Sequence, residues 1–235
     1  MKKEFKKLGD KQFVQDIKKY IKFNHQFHES KNPEINTLAK KFYEEYTLNE
    51  FYKIFNKLWN SGYENEKVLA IHSLRLYKED FNIQTWKFLK PKIKELTYWD
   101  QIEKIGQDII GEIIIKENSL QKEIIKLSKS KNNWQIGLSL NSTLPLIKKS
   151  NSQLFFKIIK EQINNPEREI QKIIGKILKE LSLKKPEQAK RFILKNINMP
   201  NETFKTATEY LKELRKARKI KKLDSVKRGF WFFKE

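Results

Sequence analysis

The sequence predicts an all-α fold of about six antiparallel helix pairs stacked into a solenoid. Three observations predict it. Ile and Leu dominate the apolar residues, and Glu and Lys the polar ones, a composition that favours helix. Only 7 Gly and 6 Pro occur in 235 residues, which leaves few hairpin turns for a sheet protein. Apolar residues recur at three- and four-residue steps in segments parted by loops of roughly two to six residues.

Taken in order, the first helix is expected over residues 10–22, on Phe13, Val14, Ile17, Tyr20 and Ile21. A polar loop, NHQFHESKNPE, follows. Asn32-Pro33-Glu34 reads as a helix start, with Asn as N-cap, Pro in the first turn and an acid beside the helix dipole. The signal recurs as Asn165-Pro166-Glu167 and, in weaker form, as Lys185-Pro186-Glu187. Further helices are expected near 33–45, 48–60, 64–78, 82–94, 96–115, 117–128, 133–147, 151–164, 166–182, 186–196 and 201–222. No segment has the composition of a linker, so 1–235 is expected to be a single domain, with 223–235 as a basic, aromatic tail. Each hairpin is too small to bury its apolar face alone and must stack on its neighbours. Hairpin starts fall near the roughly 40-residue spacing of HEAT repeats, and such a superhelix has a concave face. A compact helical bundle is the alternative arrangement.

The central helix, 96–115 (LTYWDQIEKIGQDIIGEIII), has an unusual first turn. Thr97 and Asp100 have capping-box spacing, which makes Thr97 the expected N-cap. Ile102, Ile105, Gly106, Ile109 and Ile113 form the buried stripe. Trp99 and Glu103 are four apart and share one face one turn into the helix. An aromatic plane beside a carboxylate near a positive helix end makes a small reaction site. The plainer reading puts Trp99 in the core and leaves Glu103 to favour the helix dipole.

Charge bounds the partners. With 50 Lys+Arg against 29 Asp+Glu the chain carries +21, which predicts a polyanion. Nucleic acid is the leading candidate, and an anionic membrane surface is the rival. No apolar run reaches the roughly 18 residues that span a bilayer. The N-terminus, MKKEFKKLGDKQF, has no apolar stretch of the kind a secretion signal carries. The absence of Cys removes disulfides and thiolate chemistry and suits a reducing cytoplasm. His25, His28 and His72 are the only histidines, and no third ligand is spaced to join the first two around zinc. No Gly-rich phosphate loop, Walker motif, nucleophile elbow or zincin motif occurs, so no cofactor or metal is expected.

Five segments carry a family resemblance. QFHESKNPEINTLAKKF (26–42) resembles F-G-V-K-T-P-E-L-R-x-L-A-K. LWNSGYENEKVLAIHSL (58–74) resembles L-W-x-S-x-x-H-E-x-R-x-L-A. YWDQIEKI (98–105) resembles W-D-x-I-D, and NNWQIGLSL (132–140) resembles E-N-x-W-x-R-R-x-A-I. EIQKIIGKILKELSLKKPEQAKRFI (169–193) resembles a segment running from I-G-W through a later proline to F-I. In this order, over nearly the whole chain, they resemble the DNA alkylation repair family, the AlkD-like HEAT-repeat DNA glycosylases.

The resemblance implies hydrolysis of the N-glycosidic bond of cationic alkylated purines, of the 3-methyladenine or 7-methylguanine type, in duplex DNA. A cationic base is already a good leaving group, and a carboxylate can stabilise the oxocarbenium-like sugar or orient water. An aromatic face can pack on the sugar or the cation. By position Trp99 matches the family's Trp, and Glu103 stands where the family has its catalytic Asp. Gly137 falls at the second Arg of W-x-R-R, Lys176 at the Trp of I-G-W, and Asn36 at the Arg after Pro-Glu. Trp134 fits the Trp at a helix start and reads as core. Restoring Arg at Gly137 is expected to raise activity.

Candidate DNA contacts are Lys131, Lys148, Lys149, Lys172 and Lys176 in the middle helices, and Arg215, Lys216, Arg218 and Lys219 near the end. Other basic residues there include Lys126, Lys129, Lys157, Lys160, Lys205, Lys212, Lys221, Lys222, Lys227 and Arg228. A set of solvated helix faces is the plainer reading, but at +21 local acids cannot neutralise most of these positives. The GFWFF segment at 229–233 either docks on the last helix pair or stacks on bases. Three classes stay open: a monofunctional glycosylase using Trp99 and Glu103, a DNA-structure binder without excision, and a scaffold for an acidic partner. The expected protein is a cytoplasmic, nucleoid-associated monomer bound to double-stranded DNA.

Overall fold

The computed structural model describes residues 33–96 and 98–221. The helix expected at 10–22, the Asn32 cap, His25, His28, Thr97 and the tail beyond 221 lie outside the described residues. Among the described residues every regular element is helical and none is a strand. No helix among them is long and apolar enough to cross a membrane. The chain divides into two compact units, Met1–Lys92 and Ile93–Glu235.

In the first unit α1 (Pro33–Glu45) and α2 (Leu48–Trp59) both pack on α3 (Glu64–Leu74). After α3 the chain tightens into a 3-10 stretch, Arg75–Asp80, before α4 (Ile83–Leu89). The helix expected at 82–94 also tightens, into Lys90–Glu95, where Pro91 lacks the N–H that α-helical pairing needs. Asn82 caps α4 by accepting from Gln84 N–H at 2.8 Å. The core is aromatic: Phe42, Phe51, Phe55, Trp59 and Tyr77 are buried. Tyr77 stacks on Phe51 at 5.1 Å between ring centroids, and its hydroxyl donates to the Phe42 and Tyr46 carbonyls at 2.8 and 3.1 Å. These carbonyls lie at the C-terminal end of α1, where Phe42 also accepts from the Tyr46 N–H at 2.9 Å.

The second unit opens with one continuous helix, α5, in three stretches: Trp99–Lys104, a π-helical turn Ile105–Ile110, and Gly111–Lys116. It begins one residue later than a Thr97 cap requires, and Tyr98 is the N-cap residue, without a side-chain capping bond. Ile102, Ile105, Gly106, Ile109 and Ile113 are buried, as the pattern predicts. The π turn widens the stripe to take in Ile110 and Ile114. Then follow α6 (Gln121–Ser128), α7 (Asn133–Asn141), α8 (Leu144–Lys148), α9 (Gln153–Gln162), α10 (Arg168–Lys184), α11 (Pro186–Lys195), α12 (Asn201–Ala207) and α13 (213–221).

Three further boundaries differ from expectation, each for a local reason. The segment 133–147 breaks at Ser142 and Thr143 because Pro145 cannot donate to the turn before it. Helix α10 starts at Arg168, after Asn165-Pro166-Glu167. There Asn165 Oδ1 accepts from Glu167 N–H at 2.9 Å in an Asx turn, and Glu167 becomes the cap. The segment 201–222 breaks after Ala207. Arg215 Nη2 there donates to the Lys205 carbonyl at 3.3 Å and its Nε to Thr208 Oγ1 at 3.2 Å, which closes the end of α12.

Within this unit α5, the α7–α8 pair, α10 and α12 neighbour one another in chain order. Helices α6, α9 and α11 form a second row, joined by the packing of α6 on α9, by Phe156 on Phe192, and by Ser152 Oγ donating to Gln188 Oε1 at 2.8 Å. Glycines set the spacing of the first row. A Cβ at Gly111 would lie 2.6 Å from Pro145 Cγ, and one at Gly175 would lie 2.9 Å from Thr206 Cβ. Side chains there would push α8 and α12 away.

Tyr77→Phe removes the hydroxyl that the Phe42 and Tyr46 carbonyls share, and Phe42 keeps the Tyr46 N–H. It should lower unfolding free energy by about 1–3 kcal/mol in urea titration, with the slope of the transition unchanged.

Candidate functional site

Trp99 and Glu103 stand at the exposed edge of the first row, on the opening turns of α5. The Trp99 indole is half-buried and lies over α7, where Gly137 has no side chain. A Cβ at Gly137 would fall 2.6 Å from Trp99 Cζ3, 3.4 Å from Ile102 Cγ2 and 3.5 Å from Ile170 Cδ1. Three helices, α5, α7 and α10, therefore converge on one missing side chain. Trp99 also packs on Trp134 of α7, with ring centroids 4.5 Å apart at 39°. Trp134 is half-buried, so the core reading of it is corrected to a residue shared between core and surface.

The same closeness lets α5 and α10 touch across α7. Lys176 Nζ of α10 donates to Glu103 Oε1 at 2.5 Å, between side chains 47% and 41% exposed. A pair this wet contributes about 0–1 kcal/mol, so it orients the carboxylate without locking it. The carboxylate stays open to solvent, and an incoming cation or phosphate can compete for either partner. Lys172, one turn before Lys176, pairs with Glu169 at 2.5 Å. One turn after it, Lys179 pairs with Glu209 at 2.7 Å and lies 5.3 Å from the centre of the Tyr210 ring. The hydrogen bond to Glu209 raises the Lys179 ammonium above the ordinary lysine value, so this residue holds its charge firmly.

The structure pairs Glu103 with Lys176 and Trp99 with Trp134, on neighbouring turns of α5. Lys131, Lys148, Lys149, Lys216 and Lys219 are exposed, with no carboxylate partner among the described residues. Two arginines do other work. Arg215 closes the end of α12. Arg218 donates from Nη2 to the Met199 carbonyl at 2.7 Å, lies 4.2 Å from the centre of the Phe204 ring, and has its pKa lowered by burial. Among the described residues no three His, Asp or Glu side chains gather as a metal site. The Lys176–Glu103 contact and the Trp99–Trp134 pair are the features that sequence reasoning missed. Each joins residues on different helices, and the one available signal was a lysine where the resembled family has an aromatic residue.

The described residues define an all-helical protein whose first row carries an acid–amine pair and an indole pair. A family model described as DNA alkylation repair enzyme matches residues 1–211, and the chain belongs to that family. It is similar in fold to a solved structure, a predicted DNA alkylation repair enzyme from Enterococcus faecalis. The TM-score is 0.66 and the identity 20%, over 76% of this chain and 85% of that one. No match was found among proteins of curated function.

The expectation for Gly137→Arg needs correction, because any Cβ there meets the indole before the guanidinium can reach solvent. Even Gly137→Ala must displace Trp99. It should cost about 1–3 kcal/mol of stability and weaken the near-ultraviolet circular dichroism of the Trp99–Trp134 pair; an unchanged spectrum would contradict this packing.

Proposed function

We propose that this protein binds duplex DNA and removes cationic alkylated purines from it by hydrolysing the N-glycosidic bond. On this reading the two rows of helices belong to one HEAT-like solenoid of about six helix pairs, whose cationic concave face follows the duplex backbone. The observation that carries the reading is the half-exposed carboxylate of Glu103, paired with Lys176 one turn along α5 from Trp99, in a protein with a net charge of +21. Family membership agrees with it.

The chemistry asks little of the protein. As the C1′–N bond breaks, its electron pair neutralises the cationic base, so no strong acid is required. Positive charge moves to the sugar, and Glu103 stabilises it across the face that Trp99 borders. Water adds at C1′ and its proton passes to the carboxylate or to solvent. The sugar cation and Lys176 compete for one carboxylate, so the ion pair opens as charge develops. Lys131, Lys148, Lys149, Lys172, Lys216 and Lys219 serve phosphates. Arg215 and Arg218 reach the backbone only with the guanidinium edges left free of their contacts to α12 and to the loop before it.

A second reading, binding without excision, draws on the same ion pair. If Lys176 keeps its hold when DNA is bound, Glu103 is neutralised where the reaction needs it.

Incubation with methylated duplex DNA should release 7-methylguanine or 3-methyladenine. Glu103→Gln should lower that rate about 100-fold or more while DNA affinity stays within a few-fold. Wild-type protein that binds the duplex and releases no base would favour the second reading. Binding should also fall steeply with salt, in proportion to the phosphates neutralised; a flat salt response would remove the electrostatic account.

A further inference from the structure

The Lys176–Glu103 pair is an amine and a carboxylate in hydrogen-bond contact at a solvent-open edge. Hydrolysis uses the carboxylate; nothing in it needs the amine as a reactant. An amine beside a carboxylate is, however, the minimal equipment for a different reaction on a carbonyl substrate. Excision of any base leaves such a substrate: a ring-opened abasic sugar with an aldehyde at C1′. We propose that this protein also cleaves DNA at abasic sites, with Lys176 as the nucleophile and Glu103 as the base. The inference rests on the proposed site, but it does not require that the protein itself excise a base.

The steps balance without an added oxidant or reductant. Lys176 gives up a proton to solvent, and Nζ attacks C1′. Water leaves, and a protonated imine forms between Nζ and C1′. The imine withdraws electrons from C2′, which lies only two bonds from Nζ. Glu103 Oε1, in contact with Nζ before attack, is therefore within reach of a C2′ proton. Its removal forms the C2′–C3′ double bond and breaks the C3′–O bond, and the phosphate leaves with the electron pair. Water then hydrolyses the imine and frees Lys176, so the strand ends in an unsaturated aldehyde on one side and a 5′-phosphate on the other. The Trp99–Trp134 pair offers an aromatic surface next to the gap that the missing base leaves.

The weak pairing energy is part of the argument. At about half exposure the ion pair breaks at little cost, so the amine can leave Glu103 for an aldehyde. A lysine locked in a buried pair could not do this.

The test uses full-length protein and a duplex with one preformed abasic site, made by removing uracil, so that its outcome is independent of excision. Borohydride added during the reaction should reduce the imine and leave a covalent protein–DNA complex. Peptide mass mapping should place the link on Lys176. Lys176→Arg and Lys176→Ala, checked for native circular dichroism, should lose the trapped complex by at least tenfold. Glu103→Gln should still trap but cleave the strand at least tenfold more slowly. The proposal is overturned if wild-type protein binds the abasic duplex and no complex is trapped, if the link maps to another lysine, or if Lys176→Ala traps as well as wild type. Failure here with base release intact leaves the excision reading standing; success here without base release separates the two the other way.

Discussion

The site depends on a side chain that is not there. Gly137 leaves open the one space into which α5 can lay an indole and past which α10 can reach a carboxylate. With any larger residue, Trp99 would stand off α7, Trp134 would lose its neighbour, and the approach of Lys176 to Glu103 would change. The same device recurs along the first row, where Gly111 admits the ring of Pro145 and Gly175 admits Thr206. Close helix approach at small residues fixes the row, and the row fixes which side chains from distant positions meet at its edge.

This explains how a chain can differ from its family's expected residues and still present a carboxylate, an amine and aromatic rings on neighbouring turns. At position 137 the resembled pattern has an arginine, and at 176 a tryptophan. Here the cation is on α10 and the aromatic surface is built from α5 and α7. Charge and aromatic area are both present, supplied from other helices. The arrangement differs chemically as well: a lysine touches the carboxylate, and an amine can do covalent chemistry that an indole cannot.

Much of the fold could be read from the sequence because it is governed by local periodicity and by proline. The helices at 33–45 and 48–60 and the start at Pro186 follow directly from spacing and from proline's fixed backbone. The stripe on α5 was also correct, apart from Ile110 and Ile114, which the π turn brings in. The breaks at 142–143 and 208–212 were harder. One comes from Pro145, which lacks the N–H to pair across the turn before it, and the other from Arg215 folding back on the end of α12. For the site, four-residue spacing places Trp99 and Glu103 one turn apart on α5. The link to Lys176, separated from Glu103 by 73 residues and four intervening helices, was not visible from any local rule. Nor was the structural use of Arg218, whose burial against Phe204 depends on how the chain turns after α12.

The account rests on the claim that damaged DNA meets the protein at the edge formed by Trp99, Glu103 and Lys176. The most direct measurement is an NMR titration of 15N-labelled protein with a duplex carrying a stable, positively charged analogue of the damaged nucleotide. The Trp99 indole N–H resonance is assigned beforehand by its loss in Trp99→Phe. The account predicts that this resonance moves or broadens in step with binding, and that it moves less with an undamaged duplex. A Trp99 resonance that stays in place while the analogue duplex is fully bound would contradict the account.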